Sequence, residues 1–261
     1  MMMKKITSCV MLMMMLMCVT EVSAQWSVTP EAGMNVTKYK DSPAAQVGFK
    51  AGAAVSYTFG SGLFSLQSGL YYVQRGTGKS FYGAAYGKVM GEDGKEVDHY
   101  LNFAPGYLNS FHYGYLNGYG QDGGMSFPLD MKVEGIRLSE SSIRRDYLQL
   151  PVLARFNWKV GEDIRLHVAA GPYFAYGIGG KWKYSSTEMS EKGFSSIYES
   201  SNPFKNSTYR RFDWGLSANA GIEVKRFSFN VGYDLGLGKK YKYDDMGLQY
   251  HTVSFTVGYR F

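Results

Sequence analysis

Residues 251–261 read HTVSFTVGYRF, and in this stretch every second side chain is large and apolar. The apolar positions are Val253, Phe255, Val257, Tyr259 and Phe261, whereas the positions between them are polar or small. A period of two is typical of a β-strand with one apolar and one polar face. Which of the two faces points inward therefore decides the class of protein.

The same alternation occurs in seven further segments. It runs without a break through RFDWGLSANAGIEV (211–224) and again through FSFNVGYDLGL (227–237). Segments of this length can cross a bilayer as tilted strands, which takes about 9 to 11 residues. The five remaining strands are predicted at residues 26–38, 46–59, 63–75, 146–158 and 164–178.

The links between the predicted strands alternate in length. Tight turns are predicted at 59–62, 159–163 and 225–226, and long links at 39–45, 76–145, 179–210 and 239–249. Outer-membrane barrels show this asymmetry, with short periplasmic turns and long outer loops. The sequence therefore predicts an all-β fold, a transmembrane antiparallel up-and-down β-barrel of eight strands. The alternation in SFPLDMKVEGI (126–136) predicts a hairpin extended above the membrane or, as the alternative, an added strand pair that makes ten strands.

A soluble lipocalin-like barrel shares the alternation but turns its apolar face into the cup. The interior of an eight-stranded barrel is only just wide enough for its own side chains. Filling it with Trp, Phe and Tyr from every strand would need too much volume. We therefore expect the apolar face to contact lipid and the polar face to line the lumen.

The first 24 residues have the features of a secretory signal peptide. A basic start at Lys4 and Lys5 precedes an apolar stretch over residues 9–19 and small residues at Ser23 and Ala24. The apolar stretch is shorter than the roughly 20 residues of a membrane-spanning helix. We expect cleavage near Ala24 and one barrel domain over residues 25–261, in the outer membrane of a Gram-negative bacterium. Export argues against nucleic acid as a partner of this basic chain.

Three segments carry a resemblance to a known family. LQSGLYYVQRG (66–76), DYLQLPVLARFNW (146–158) and TVGYRF (256–261) resemble the Bacteroidota outer-membrane β-barrel family that includes PorT-like proteins, itself similar in architecture to OmpA and OmpX. The resemblance covers the strands and not the loops. It implies that Val257, Tyr259 and Phe261 form a signal for the barrel-assembly machinery, although Phe261 is also explained as a lipid-facing residue. It further implies assistance to a secretion machine as one possible role.

Polar side chains of the strands are predicted to fill the lumen. Charges of both signs in a poorly hydrated space should pair, because an unpaired charge carries a large desolvation cost. A narrow or gated pore is the alternative. The predicted lumen network contains Glu31, Lys50, Arg155, Arg165, His167, Glu223, Asp234 and Arg260, together with Gln67, Tyr71, Asn219 and Asn230.

Basic residues are concentrated near the strand ends on the long-loop side. Arg and Lys bind phosphate through charge-assisted hydrogen bonds, so we predict a rim that contacts lipopolysaccharide. Simple solvation of charged loops is the alternative. The predicted rim contains Lys38, Lys40, Arg75, Lys79, Arg144, Arg145, Lys181, Lys183, Arg210, Arg211, Lys239, Lys240 and Lys242.

The predicted loop 76–145 is rich in glycine and tyrosine, which suits an adaptable recognition surface. We predict a surface partner for it, with a self-packed lid over the barrel as the alternative. A lipid-modifying enzyme would need a nucleophile beside a base, and neither His99, His112, His167 nor His251 has an evident partner in the sequence. The chain is therefore predicted to be non-catalytic, without cofactor or metal.

Overall fold

The computed structural model describes residues 25–40, 44–90, 93–103, 111–112, 115–116, 132–205, 209–238 and 249–261. The predicted signal peptide and the rim residues Lys239, Lys240 and Lys242 lie outside this described part of the chain. In the described part, no helix is long and apolar enough to cross a membrane.

Twelve β-strands make up the described fold. They are β1 (Trp26–Tyr39), β2 (Gln46–Phe59), β3 (Phe64–Met90), β4 (Glu96–Phe103), β5 (Phe111–His112), β6 (Tyr115–Leu116), β7 (Lys132–Lys159), β8 (Ile164–Ser190), β9 (Gly193–Ser201), β10 (Phe212–Val224), β11 (Phe227–Gly236) and β12 (Tyr250–Tyr259).

Eight of these strands close into a ring. The ring order is β1, β2, β3, β7, β8, β10, β11 and β12, with every neighbouring pair antiparallel. Pairing of β12 with β1, where Tyr250 faces Tyr39, removes the last free edge of the ring. The prediction of an all-β, eight-stranded up-and-down barrel is confirmed.

Tight turns join the ring strands at one end of the barrel. The β2–β3 turn contains Gly60 and Gly62 with φ of +44° and +85°, a left-handed conformation that glycine adopts without steric cost. β7 joins β8 through residues 160–163, and β10 joins β11 through Lys225 and Arg226. We refer to this as the short-turn end, which in outer-membrane barrels faces the periplasm.

Three ring strands continue well beyond the barrel at the opposite end. β3 runs to Met90, β7 starts at Lys132 and β8 runs to Ser190, so residues 76–90, 132–145 and 179–190 are strand where the sequence predicted loop. Pairing of β4 with β3 and of β9 with β8 widens this extension. We call these parts of β3, β7 and β8, together with β4 and β9, the outer sheet. The two extra strands lie outside the ring, which stays at eight.

The alternation of exposure along the strands gives the direction of each face. Leu70 and Phe255 are 56% and 57% exposed, whereas the adjacent Tyr71 and Ser254 are each 3% exposed. The outer surface of the ring is therefore apolar and its lumen is polar, the arrangement that contact with lipid requires.

An aromatic belt runs around the outside of the short-turn end. Ring centroids are 4.8 Å apart for Trp26 and Tyr57, 4.8 Å for Tyr57 and Phe59, and 5.5 Å for Phe59 and Phe64. Phe156 of β7 continues the belt, 5.4 Å from Phe64. Such belts lie at the headgroup level of the bilayer, which fixes the depth of this end of the barrel.

Candidate functional site: the polar lumen

Arg75 lies in the centre of the lumen rather than at the lipid rim where the sequence analysis placed it. Its side chain is fully buried, at 0% exposure. Nη1 is 3.3 Å from Oδ2 of Asp213 and donates to the Tyr250 hydroxyl at 2.8 Å. Nη2 is 3.0 Å from Oδ2 of Asp234 and also donates to Oε1 of Gln149. The guanidinium thus binds two carboxylates and two neutral acceptors at once.

Tyrosine rings enclose the same guanidinium. Its Cζ atom is 5.0 Å from the ring centroid of Tyr173, 5.1 Å from that of Tyr250 and 5.8 Å from that of Tyr147. These distances are within the range of cation–π attraction. A Cβ atom added at Gly236 would overlap the Tyr250 ring, so glycine there makes room for it.

We call Arg75, Gln149, Tyr147, Tyr173, Asp213, Asp234 and Tyr250 the outer plug. Its members come from β3, β7, β8, β10, β11 and β12, six of the eight ring strands. Because the plug is hydrogen-bonded across the barrel from several sides, it closes the lumen toward the long-loop end. It also ties together strands that are not neighbours in the ring.

Arg145 is a second correction to the predicted rim. It points inward, is 2% exposed and donates to the Tyr39 hydroxyl. Its Cζ atom is 5.3 Å from the centroid of the Tyr39 ring and 5.2 Å from that of Tyr209. The physical reason is the pleat of β7, where Arg145 has the same parity as the inward-facing Tyr147.

A second polar cluster closes the lumen at the short-turn end. Arg155 donates through Nη2 to Oε1 of Glu223, and Oε2 of Glu223 is 3.6 Å from Nε of Arg260. Nε of Arg155 also donates to Asn157 at 2.7 Å. His167, 3% exposed, is buried in the lumen beside Arg155 and Glu223. We call Arg155, Glu223 and Arg260 the inner plug.

Between the two plugs lies a small cavity of about 30 Å³. Glu31 is its main acid and accepts hydrogen bonds from the hydroxyls of Tyr71 and Thr256, the latter at 2.7 Å, and from Asn230 at 3.1 Å. Nζ of Lys50 is 4.9 Å from the centroid of the Tyr71 ring. A space of this size holds about one water molecule.

Outside the inner plug the lumen opens into a larger vestibule of about 660 Å³ at the short-turn end. Arg155 and Glu223 line both the vestibule and the small cavity, so their ion pair separates the two spaces. Gln149 lines the small cavity and also belongs to the outer plug. The lumen is therefore interrupted at two points along the barrel axis, once by each plug. Arg165 lies at the vestibule wall.

The structure brings the predicted lumen residues together in three groups. Arg155, Glu223 and Arg260 form the inner plug with His167 beside it, Glu31 and Lys50 meet at Tyr71, and Asp234 belongs to the outer plug. Arg75, Asp213 and Gln149 are further lumen residues that were not predicted from the sequence, although their strand parity would have placed them there.

The remaining predicted rim residues lie at the long-loop end. Lys38, Lys40, Arg144, Lys181, Lys183 and Arg210 are exposed there. Arg211 is partly buried, donates to the Gly177 carbonyl at 2.9 Å and lies 5.2 Å from the Phe204 ring centroid. Nζ of Lys79 is 2.9 Å from Glu140.

The terminal aromatic residues face outward at the short-turn end. Val257 and Phe261 are exposed on the lipid side, and the ring centroids of Tyr259 and Phe261 are 4.9 Å apart. Recognition of this segment by the assembly machinery stays a prediction.

A closed ring of antiparallel strands, apolar outside and filled with paired polar groups inside, defines a transmembrane β-barrel. Residues 21–241 match the family described as outer membrane protein beta-barrel domain. The chain belongs to this family, and its place among outer-membrane proteins follows from that membership.

The chain is similar, at low sequence identity, to several solved structures. Ail of Yersinia pestis, in complex with the heparin analogue sucrose octasulfate, has 13% identity over 92% of this chain and 100% of its own, with a TM-score of 0.36. Neisserial surface protein A has 9% identity over the same shares and a TM-score of 0.38. The translocator domain of the autotransporter NalP from Neisseria meningitidis has 12% identity, coverage of 99% and 97%, and a TM-score of 0.27. No curated protein matches the chain.

Proposed function

We propose that the protein is a non-catalytic outer-membrane barrel that is sealed by its two plugs and presents the outer sheet to a partner at the cell surface. The interrupted lumen is the observation that carries this proposal. A barrel whose axis is closed by buried ion pairs is suited to anchoring rather than to transport. The extension of β3, β7 and β8 beyond the barrel supplies the binding surface.

The closed lumen predicts the absence of a steady ionic current. Purified protein in planar bilayers is expected to give no conductance above the bare membrane, because no continuous water path crosses the plugs. A large-pore porin inserted by the same protocol is the positive control. A steady unit conductance from the wild-type protein would contradict the sealed state and favour the narrow-pore alternative.

The outer sheet carries large apolar side chains on one face. Met189 and Phe194 are cross-strand partners and therefore share a face. Phe194 is 78% exposed, and Tyr198, four residues further along β9 and on the same face, is 66% exposed. Clustered exposed apolar groups are typical of interaction sites. Among the described strands, β9 lies at the edge of the outer sheet and pairs only with β8, and an edge strand can pair with another chain.

Photocrosslinking in intact cells tests the surface role. A photoreactive residue at position 194 or 198 is expected to capture a specific adduct, because both side chains point away from the sheet on its apolar face. Ile197, also exposed but on the opposite face of β9, is the matched control position. Absence of any adduct from 194 and 198, with the barrel correctly inserted, would contradict this role.

A basic patch lies on β7 and β8 at the long-loop end, directly beyond the apolar outer surface of the barrel. Arg144 and Lys181 are cross-strand partners and Lys183 follows on the same face, all three exposed. Nε of Arg144 is 3.5 Å from Oδ1 of Asp146. Leu148 and Tyr176 are exposed cross-strand partners, and the apolar outer surface of the barrel begins at them, next to the patch. This patch supports the proposal that the rim binds lipopolysaccharide phosphates.

Reversing the patch is expected to weaken lipopolysaccharide binding. The triple variant Arg144→Glu, Lys181→Glu, Lys183→Glu places three negative charges where phosphates would bind, so co-purified lipopolysaccharide should fall several-fold. Lys95→Glu, Lys132→Glu, Lys192→Glu, at exposed positions far out on the outer sheet, is the matched control. Equal amounts of co-purified lipopolysaccharide in both triple variants would contradict the proposal that this patch binds lipopolysaccharide.

The placement of the histidines supports a non-catalytic role. Nδ1 of His251 is 2.5 Å from the Tyr233 hydroxyl on the outer barrel surface, so this histidine is hydrogen-bonded to a phenol and not to a serine, threonine or cysteine. His167 is enclosed in the lumen. A lipid-modifying enzyme would need a base beside a nucleophile at the lipid face, and release of acyl chains from lipid A or phospholipid by the purified protein would refute this part of the proposal.

The resemblance to PorT-like proteins extends the proposal to the partner. In that case the captured surface partner would be a component of a secretion machine, whereas a glycan or an envelope protein would indicate a different role. The crosslinking experiment separates these outcomes. Cleavage of a signal peptide near Ala24 and recognition of residues 257–261 during barrel assembly belong to the same proposal.

A further inference from the structure

The vestibule at the short-turn end has an unbalanced charge. Five basic side chains line it, together with one acidic side chain, that of Glu223. The basic residues are Arg155, Lys159, Arg165, Arg226 and Arg260. Its volume of about 660 Å³ is in the range of small-molecule binding sites, which is about 300 to 1,000 Å³.

The carboxylate of Glu223 is already paired with the two arginines of the inner plug. Its two oxygens face Arg155 and Arg260. Within the described ranges, no carboxylate lies within 4 Å of the cationic groups of Lys159, Arg165 or Arg226. Arg165 and Arg226 instead lie close enough to Arg260 to repel its charge. An anion in the vestibule would relieve this repulsion.

The depth of the vestibule in the membrane indicates which anion it meets. Trp26, Trp158 and Phe261 contribute to its wall and are exposed on the lipid side. Tryptophan at such positions lies at the level of the headgroups, which is where phosphates are dense. Hydroxyls of Ser27, Ser56 and Ser65 also line the space and can donate to a phosphate oxygen.

We propose that the vestibule is a binding site for a phosphate-bearing anion, held by Arg165, Arg226 and Lys159 at the short-turn end. The site is separate from the outer sheet and the outer basic patch. The same chemistry is supplied by a phospholipid headgroup of the inner leaflet or by a soluble phosphate compound of the periplasm.

Pyrophosphate is the probe for the shared chemistry. The wild-type protein in phosphatidylcholine nanodiscs is titrated with pyrophosphate and followed by calorimetry and by tryptophan fluorescence, since Trp26 and Trp158 line the site. Arg165→Gln, Arg226→Gln should bind at least about tenfold more weakly, because two charge-assisted contacts are lost. Lys132→Gln, Lys192→Gln removes the same charge from the outer sheet and should bind like wild type.

Folding of each variant is checked by the difference in gel mobility between unheated and heated samples, and affinities are compared only between folded proteins. Equal affinity of the two folded double variants, or no binding of pyrophosphate to the wild type, overturns the proposal.

A second arm identifies the natural source. With phosphatidylglycerol in the nanodiscs, the apparent pyrophosphate affinity is expected to fall for the wild type and for Lys132→Gln, Lys192→Gln, which keep both arginines, but not for Arg165→Gln, Arg226→Gln. That result assigns the site to a lipid headgroup. An unchanged wild-type affinity assigns it to a soluble phosphate compound.

Discussion

Arg75→Met is expected to destabilise the barrel more than any other single substitution in the lumen. It leaves Asp213 and Asp234 buried without their shared cation. Removing one partner of a buried ion pair typically costs about 3 to 5 kcal/mol, and here two acids lose the same partner. We expect a large fall in the urea midpoint of unfolding in lipid vesicles, or failure to fold.

Companion variants separate charge from volume. Arg75→Met with Asp213→Asn and Asp234→Asn removes the uncompensated charges and should recover much of the lost stability. Arg75→Lys should recover only part of it, because an ammonium lacks the planar fork that binds several acceptors at once. Arg144→Met, an exposed arginine of β7, is the matched control and should have little effect. A wild-type midpoint for Arg75→Met would contradict the structural role of the outer plug.

Leu216→Arg is expected to be the most damaging change on the lipid face of β10. Leu216 is exposed on the outside of the ring, away from both ends of the strand. An arginine near the bilayer midplane of a β-barrel costs about 2 to 4 kcal/mol, and near the interfaces about 0 to 1 kcal/mol.

Val224→Arg is the matched control, because Val224 lies on the same face at the end of the same strand. The free energy of unfolding in vesicles should fall much more for Leu216→Arg than for Val224→Arg. Equal losses at both depths, or none at Leu216, would mean that this face does not contact the bilayer core.

The ring of eight strands could be predicted from sequence because its signals are local. Alternation such as that of residues 212–224 is a property of one strand, and a two-residue link such as Lys225 and Arg226 forces an antiparallel hairpin. The outward direction of the apolar face followed from side-chain volume alone. These features do not depend on which distant strands meet across the lumen.

The outer plug could not be predicted from the sequence in the same way. Arg75 was assigned to the rim because it lies near the predicted strand end, although its parity matches that of Tyr71, which was placed in the lumen. Its partners Asp213 and Asp234 are 138 and 159 residues away in the chain. Only the register around the closed ring brings them together.

Apart from the hairpin extension indicated by residues 126–136, the outer sheet was not predicted, and the reason is different. Register shifts interrupt the alternation where β3 and β8 leave the barrel: one lies between Thr77 and Ser80 of β3, and the other lies on β8, opposite Asp146 and Tyr147. A bulge moves the following residues to the opposite face. The period of two read within the barrel therefore stops at the bulge, even though the backbone pairing continues.

The central claim is that apolar side chains face lipid and polar side chains face a closed lumen. Spin labels placed singly at residues 252–257 of β12, in protein reconstituted in vesicles, test it most directly through collision with oxygen, which concentrates in the bilayer core. The structure predicts high oxygen accessibility at 253, 255 and 257 and low accessibility at 252, 254 and 256. The opposite alternation, or equal accessibility at all six positions, would contradict it.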